Sequence, residues 1–342
     1  MRRRHMTGTT IALPFLILAL NAAAGGYVEP RQATTLVEIQ ELLFNERFGQ
    51  ADSVCAVLIA RQPDNPAGYL FRAATLLAEM VRHEENLFPV RFHRLLDTTE
   101  CLANAALDTA STRTAAWMHL FLGHTRVYRS LWEARFGAFT TSLRQGMAAR
   151  EEYQKGLKYD SSLYDLYFGL GSYHYWKSAK AGILRWLGFF KNEKDKGLAE
   201  LYRAADSSII SREAARNSLI WIWLDLEQFD SAVAISREMF TRYPEGTVLL
   251  WPMAQAYFEN HNYRDALRTF LALRERLESQ PGNYFNLIDC DYRLHRCYER
   301  LDMKDPARRV AREVAAYYSE IPSKTRQKQR TKLAYLRRAA RR

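Results

Sequence analysis

The sequence lacks the motifs on which most enzymes depend. It contains no Gly-x-Ser-x-Gly, His-Glu-x-x-His or Gly-x-x-x-x-Gly-Lys pattern, and no glycine-rich dinucleotide fingerprint. Such patterns bring a nucleophile, a zinc ion or a phosphate within reach of catalytic groups. Because His and Cys also show no metal-ligand spacing, the sequence predicts a protein that is not an enzyme and holds neither a metal nor a cofactor.

Cysteine is scarce, with four in 342 residues. Cys290 and Cys297 are seven residues apart in a predicted helix. A rise of about 1.5 Å per residue separates them by about 10 Å, which is too far for a disulfide. We predict that these two residues, Cys55 and Cys101 are all small buried side chains.

Long apolar runs are confined to the start of the chain. Arg2, Arg3 and Arg4 precede an apolar run from Ile11 to Leu20, and small residues follow it. This run is about half of the roughly 20 residues that a membrane-spanning helix needs. The sequence therefore predicts a signal peptide over residues 1–24, with an uncleaved anchor as the alternative. We expect the mature protein to be periplasmic or associated with the cell envelope.

Acidic residues are absent after Ser323, where nine lysines and arginines follow. With three more positive charges in the predicted signal, they account for the formal net charge of +11 and leave the body nearly neutral. Residues 323–342 are predicted to form a basic tail. This tail is either a solvated end or a contact for anionic lipid, lipopolysaccharide or an acidic partner. Because the charge does not run along the body, we expect no nucleic acid partner.

Two segments of the C-terminal half repeat with a period of 34 residues, which is typical of tetratricopeptide repeats. In each unit an aromatic residue precedes a small one, which lets two antiparallel helices approach closely, and Pro244 ends the first unit. A single hairpin cannot bury its apolar faces, so neighbouring hairpins must stack. The matched pairs are Ile220 with Ala254, Trp223 with Tyr257, Phe229 with Tyr263, Ala232 with Ala266, and Met239 with Leu273.

These observations predict an all-α fold, an α-solenoid of antiparallel helical hairpins. Residues 25–66 form an N-terminal hairpin, and residues 213–322 form three C-terminal units. Residues 67–212 contain lengthened repeats, because Leu122-Gly123 recurs as Leu170-Gly171 after 48 residues. Each of these copies is about 14 residues longer than an ordinary repeat, which corresponds to about four helical turns in total.

The central stretch from Tyr167 to Asp206 resembles the core of the tetratricopeptide-repeat protein 39 family and its inclusion-body-clearance relatives. The resemblance implies a helical repeat fold and a role in protein interaction or turnover. This sequence departs from the family in lacking a proline after Ser178 and in carrying a predicted export signal. The residues that carry the likeness are Gly169, Gly171, Ser178, Leu187, Gly188, Phe189, Asp195, Gly197 and Leu198.

First helices line the concave groove of such a superhelix, and groove-facing residues recur at set offsets in each unit. Aromatic, amide and charged groups on one groove suit an extended peptide or a partner helix. The sequence therefore predicts a scaffold with a protein or peptide partner, although individual groove residues could merely cap a neighbouring helix. The predicted groove residues are Asn217, Trp221, Asp225, Trp251, Gln255, Glu259, Tyr292, Arg296 and Arg300.

Two alternative functions and three local features remain open. The basic tail suggests an envelope-assembly factor that touches anionic lipid or polymer. The aromatic cluster from Tyr164 to Trp176 suggests a glycan-processing enzyme, although packing between helices explains most of it. We interpret His119, His124 and His174 as packed or hydrogen-bonded residues. The apolar segment from Gly182 to Phe190 is expected to pack, or to form a docking patch if it is exposed.

Overall fold

The computed structural model describes residues 30–180, 191–280 and 282–341, in which sixteen α-helices and one short 3-10 helix form without any strand. The predicted signal peptide over residues 1–24 and the apolar segment 182–190 lie outside the described residues. Within those residues, no helix combines the length and the apolar character that a bilayer span requires. The helices are α1 (Pro30–Phe44), α2 (Phe48–Arg61), α3 (Pro66–His83), α4 (Pro89–Leu107), α5 (Thr112–Phe136), α6 (Phe139–Tyr159), α7 (Asp165–Lys180), α8 (Lys194–Ser207), α9 (Arg212–Asp225), α10 (Phe229–Arg242), α11 (Leu250–Glu259), α12 (Tyr263–Glu278), α13 (Tyr284–Arg300), α14 (Lys304–Ala316), α15 (Ser323–Lys328) and α16 (Arg330–Ala339).

Consecutive helices pair into seven antiparallel hairpins, from α1 with α2 to α13 with α14, and each hairpin stacks on the next. The predicted α-solenoid is therefore confirmed. Residues 34 apart occupy equivalent places: Ala232 and Ala266 are both fully buried where the second helix begins, as are Ile220 and Ala254 in the first helices. A larger side chain at either alanine would force the paired helices apart.

Five hairpins end their first helix in the same way. Glu46, Glu84, Glu227, His261 and Asp302 each have a positive φ, between 55° and 61°. The backbone N–H of the following residue reaches back to a carbonyl in the last turn of the first helix, as Gln228 does to Trp223 at 2.8 Å. This is the left-handed helix ending that glycine usually occupies. Here it is built from charged or polar residues.

The third hairpin is longer than the repeats that follow it. Helices α5 and α6 have 25 and 21 residues, whereas α9 and α10 have 14 each. Every residue from Ala115 to Thr125 of α5 is buried, because α3, α4, α6 and α7 all pack against this helix. A helix that is covered on all sides forms the centre of a core rather than the wall of an open groove.

The first two hairpins also contact hairpins that lie about two hundred residues later in the chain. The ring of Phe44 stacks on that of Tyr243, and Arg47 Nε donates to Glu245 Oε2 at 2.7 Å. The backbones approach so closely that a Cβ on Gly246 would lie 1.8 Å from the carbonyl oxygen of Phe44. We call this set of contacts the seam.

Glu46 is the most connected residue of the seam. Its carboxylate accepts hydrogen bonds from Arg82 Nε at 2.7 Å, from Thr247 Oγ1 at 2.6 Å and from the Thr247 backbone N–H at 2.8 Å. Arg82 donates onward to Gln280, and its carbonyl oxygen accepts from Asn286 at 2.7 Å. The side chains of Glu46 and Arg82 are both 7% exposed, so the seam contains a buried ion pair.

Residues 323–342, predicted as a basic tail, differ from that expectation. All but the last of them are described, and they form α15 and α16, which pack on the seventh hairpin. Leu333 and Leu336 are buried there, and Lys332 Nζ lies 2.7 Å from Asp289 Oδ1. Helix α16 occupies the place of a further first helix and covers the apolar side of the seventh hairpin, and we call it the capping helix.

The cysteines are unpaired, as expected from their spacing. Cys55, Cys290 and Cys297 are buried, but the prediction of burial is wrong for Cys101. This residue lies on the side of α4 that faces solvent, because Thr99 and Ala103 form the buried side of that helix.

Candidate functional site

Four of the predicted groove residues share one accessible face on α9 and α11, which contact each other. Trp221 and Gln255 are 34 residues apart and hold equivalent positions on these adjacent first helices. Trp251 is half-buried, with its ring centroid 6.4 Å from that of Phe270, and Glu259 is exposed at the end of α11. We call Trp221, Trp251, Gln255 and Glu259 the α9–α11 face.

The polar groups of this face are uncommitted. Gln255 and Glu259 make no side-chain hydrogen bond or ion pair with the described part of the chain. The indole Nε1 of Trp221 is shielded from solvent and has no hydrogen-bond acceptor there either. Because this N–H is shielded, it is not available to a partner, whereas Gln255 and Glu259 are accessible. The face therefore offers an amide and a carboxylate beside two aromatic rings.

Two predicted groove residues of the same units are engaged within the protein. Asn217 is only 1% exposed, so it does not lie on an open groove. Asp225 accepts a hydrogen bond from Tyr175 at 2.7 Å and another from Lys194 Nζ at 2.9 Å. Asp225 therefore links the fourth and fifth hairpins, and burial together with this carboxylate raises the pKa of the Tyr175 hydroxyl.

Two predicted groove residues of the last unit, Tyr292 and Arg296, are half-buried, whereas Arg300 is exposed. The ring of Tyr335, on α16, packs edge-on against Tyr292 at 5.2 Å, and Arg296 donates to the Tyr292 hydroxyl at 3.1 Å. Arg300 lies over the ring of Tyr263 on the preceding hairpin, 5.7 Å from its centroid. The capping helix thus occupies the part of the groove that a partner was expected to fill.

The glycines that carry the family resemblance allow close packing. A Cβ on Gly171 would lie 2.7 Å from the carbonyl oxygen of Gly197, so α7 and α8 cross almost in backbone contact. Gly169 and Gly123 make room for opposite sides of the Tyr153 ring. Ser178 accepts a hydrogen bond from the Glu193 backbone N–H at 2.8 Å. Leu187, Gly188 and Phe189 lie outside the described residues.

The three histidines singled out in the sequence are hydrogen-bonded inside the protein. His119 pairs with Glu152 at 2.8 Å, and His174 pairs with Glu200 at 2.6 Å. His124 Nδ1 lies 2.7 Å from the Tyr153 hydroxyl, and complete burial lowers the pKa of His124 to about 3. His124 is therefore neutral, and its ring contributes to packing rather than to acid–base chemistry.

The central aromatic cluster is mostly committed to packing. Tyr175 and Phe168 are buried, and Tyr173 lies beneath the cations of Arg150 and Lys177. Tyr164 is the most exposed of these rings at 38%. No group of three or more His, Cys, Asp or Glu side chains has the arrangement of a metal site among the described residues.

A second accessible surface lies on the capping helices, and the sequence alone did not define it. Helices α14 and α16 both turn arginines outward, and Arg308 and Arg338 line one cleft between them. Arg337 lies over the Tyr318 ring at 4.7 Å. The run of bases after Ser323 signalled this charge, but not that it belongs to a folded surface shared with α14.

Comparisons with known proteins bear on the fold. No protein-family model matches the sequence, and neither does any curated protein. A chain of the APC/C hetero-tetramer Cut9-Hcn1 is similar in structure, with a TM-score of 0.52 and 14% identity over 90% of this chain, which spans 55% of that one. Yeast Tom70 has a TM-score of 0.40 and 12% identity over 95% of this chain and 67% of its own, which is too low to carry an argument. The first likeness shows a helical repeat fold, whereas the resemblance to the tetratricopeptide-repeat protein 39 family stays a prediction.

Proposed function

We propose that the protein is a non-catalytic interaction scaffold of the cell envelope, which binds a peptide or a helix of a partner protein on the α9–α11 face. The observation that carries the proposal is the accessible row of Trp251, Gln255 and Glu259, whose two polar members have no partner among the described residues. Tryptophan beside uncommitted polar groups is the composition of an interface hot spot. The envelope location rests on the predicted signal peptide alone.

The chemistry of this face favours a particular kind of partner. The half-buried ring of Trp251 offers apolar area, Gln255 pairs with main-chain groups, and Glu259 attracts a basic side chain. An amphipathic helix or an extended peptide with one lysine or arginine would satisfy all three. Because α9 and α11 are rigid helices, the face is preformed, which reduces the entropy lost on binding.

Acids near the central aromatic cluster are already engaged, and this favours the scaffold over the glycan-processing alternative. Asp165 accepts the backbone N–H groups of Ile209 and Ile210 at 2.9 and 2.7 Å. Glu200 pairs with His174, and Asp225 pairs with Tyr175. General acid–base catalysis of glycoside hydrolysis needs two carboxyl groups that face the substrate.

Site-specific photocrosslinking tests the proposal. A benzophenone amino acid is placed at Gln255 or at Glu259, and as a matched control at Leu271, which is exposed on the outer helix of the same hairpin. Irradiation in envelope extract should yield a discrete crosslinked protein from positions 255 and 259 and none from position 271. Crosslinks that form equally from Leu271, or from that position alone, would overturn the assignment of the face.

A variant measurement then tests the chemistry of the same face. Trp251→Ala removes the accessible ring, and Gln255→Ala removes the amide. Each should lower the yield of the Glu259 crosslink by about tenfold, because truncating a side chain at the centre of an interface costs about 1 to 3 kcal/mol. An unchanged yield in both variants would show that neither group contacts the partner.

A second candidate function is contact with anionic lipid or polymer through residues 323–342. The observation that favours it is the outward position of arginines on α16, which carries no acidic residue. This function is compatible with the first, because the two surfaces lie on different hairpins.

A further inference from the structure

The positive charge of the protein is concentrated at one end of the solenoid. Residues 304–341 contain twelve lysines and arginines against three acids, whereas the rest of the described chain is close to neutral. The three acids are engaged: Asp305 with Arg308, Glu313 with Arg274, and Glu320 with Tyr284. With twelve bases against three acids, residues 304–341 keep an excess of nine positive charges.

Most exposed bases of this end lie on two adjacent helices, α14 and α16, which pack together, whereas Lys324 and Lys328 lie on α15. Adjacent arginines on each helix, Arg308 with Arg309 and Arg337 with Arg338, point about 100° apart, so the arginines cover a broad side of each helix. Because Arg308 and Arg338 line the same cleft, the two sides adjoin. We call this area the cap surface, and its members are Arg308, Arg309, Arg312, Arg330, Arg337, Arg338 and Arg341.

The other exposed residues of α14 and α16 are small or charged: Lys304, Asp305, Ala315, Ala316, Thr331 and Ala334. The cleft between Arg308 and Arg338 is also lined by Glu299, Asp302, Met303 and Tyr335, so acids and one exposed apolar side chain interrupt the bases there. Outside this cleft no large apolar side chain is exposed on either helix, so that part of the surface is suited to lie on a charged layer without inserting into it. The ring of Tyr318 is covered by Arg326 and Arg337.

The identity of the bases points to phosphate. Six arginines are exposed on α14 and α16 against one lysine, Lys304, and the guanidinium group binds a phosphate through two parallel hydrogen bonds. We propose that the cap surface is a docking site for a membrane leaflet that carries anionic phospholipids. The inference deepens the second candidate function above. It moves the contact from a tail to the folded end of the solenoid and names phosphate headgroups as the ligand.

The shape of the charge distribution favours a membrane over a long polyanion. A planar membrane touches only the end of the solenoid, where the charge lies. An extended nucleic acid or acidic polypeptide would continue past α14 onto hairpins that offer no net attraction. Adsorption through basic residues gains about fivefold in binding for each lysine or arginine at the surface, and it weakens with added salt.

Vesicle co-sedimentation of the full mature chain tests this inference. The vesicles contain phosphatidylcholine alone or phosphatidylcholine with phosphatidylglycerol. The cap variant carries Arg309→Gln, Arg312→Gln, Arg330→Gln and Arg341→Gln, because these four arginines have no side-chain partner among the described residues. The control variant loses the same charge elsewhere, at four exposed arginines that have no side-chain partner in the described chain: Arg61, Arg94, Arg113 and Arg144.

We expect the wild-type chain to sediment with the anionic vesicles only, and less so as salt is raised. The cap variant should bind on the order of several hundredfold more weakly, whereas the control variant should bind as the wild type does. Equal losses in the two variants would show that net charge alone acts. Failure of the wild type to bind, or stronger binding to a polyglutamate peptide or an oligonucleotide than to the anionic vesicles, would overturn the inference. None of these results alters the crosslinking from Gln255, so the two proposals fail separately.

Discussion

The ring of Phe44, in the first hairpin, stacks on the ring of Tyr243, at the end of the fifth, with centroids 4.4 Å apart and planes 17° from parallel. The superhelix therefore folds back until its early and late hairpins touch. Because the contact joins distant parts of the chain, it fixes the curvature of the solenoid. It also explains why the inner side of several first helices is buried rather than open.

The seam should contribute measurably to stability through Glu46. Changing Glu46→Ala removes the acceptor of Arg82 and Thr247 and leaves a buried guanidinium without its carboxylate. The free energy of unfolding in urea should fall by about 3 to 5 kcal/mol. The matched control is Glu245→Ala, which breaks the exposed pair with Arg47 and should cost less than about 1 kcal/mol. Equal effects of the two changes would contradict a buried seam.

The crossing of α7 and α8 should not tolerate a methyl group. In Gly171→Ala the new Cβ would meet the Gly197 carbonyl at 2.7 Å and the Leu201 backbone nitrogen at 2.9 Å, and neither atom can rotate away. We expect a loss of about 2 kcal/mol or more in thermal or urea unfolding. Gly49→Ala is the control, because nothing lies within 4 Å of its Cβ. That change should stabilise α2 by about 0.5 to 1 kcal/mol.

His124 should make the protein sensitive to mild acid. Its folded pKa of about 3 lies below the ordinary value of about 6.5, so the unfolded chain takes up a proton that the folded chain refuses. The stability due to neutral His124 is complete above about pH 6.5 and is lost as the pH falls toward about 3. Between about pH 7 and pH 5 the free energy of unfolding should drop by about 2 kcal/mol more in the wild type than in His124→Gln. Parallel pH profiles of the two proteins would rule out a buried neutral histidine.

Helix α16 should behave as part of the folded core. Leu336 is fully buried against the seventh hairpin, so Leu336→Ala should lower the free energy of unfolding by about 2 to 5 kcal/mol. Thr331→Ala, on the exposed side of the same helix, should change it by less than about 0.5 kcal/mol. If neither substitution had an effect, residues 323–341 would be the solvated tail that their charge first suggested.

Periodicity predicted the repeat well because it records the local requirements of a hairpin. Ala232 and Ala266 must be small wherever two helices touch, and this requirement recurs in every unit. The composition of α16 concealed a similar pattern. Leu333 and Leu336 have helical spacing, but residues 324–338 also contain seven exposed or half-buried bases. Their charge led to the prediction of a basic tail instead of a packed helix.

The sequence could not predict which part of the groove stays open. Periodicity assigns Asn217 and Tyr292 to the inner side of their helices. What covers them depends on contacts that leave no local pattern. Tyr335 reaches Tyr292 from the capping helix, and the seam joins residues about two hundred positions apart. Trp221, Trp251, Gln255 and Glu259 stay accessible, and Arg300 stays exposed at the end of α13.

Hydrogen–deuterium exchange of the mature chain, alone and with the partner captured by crosslinking, tests the central claim most directly. Binding on the α9–α11 face predicts slower amide exchange in two places. These are the end of α11, from Gln255 to Glu259, and the last turn of α9, from Trp221 to Asp225. It predicts no change in exchange in α12 around Leu271, or in α14 and α16. Protection confined to α12, or to α14 and α16, would contradict the account.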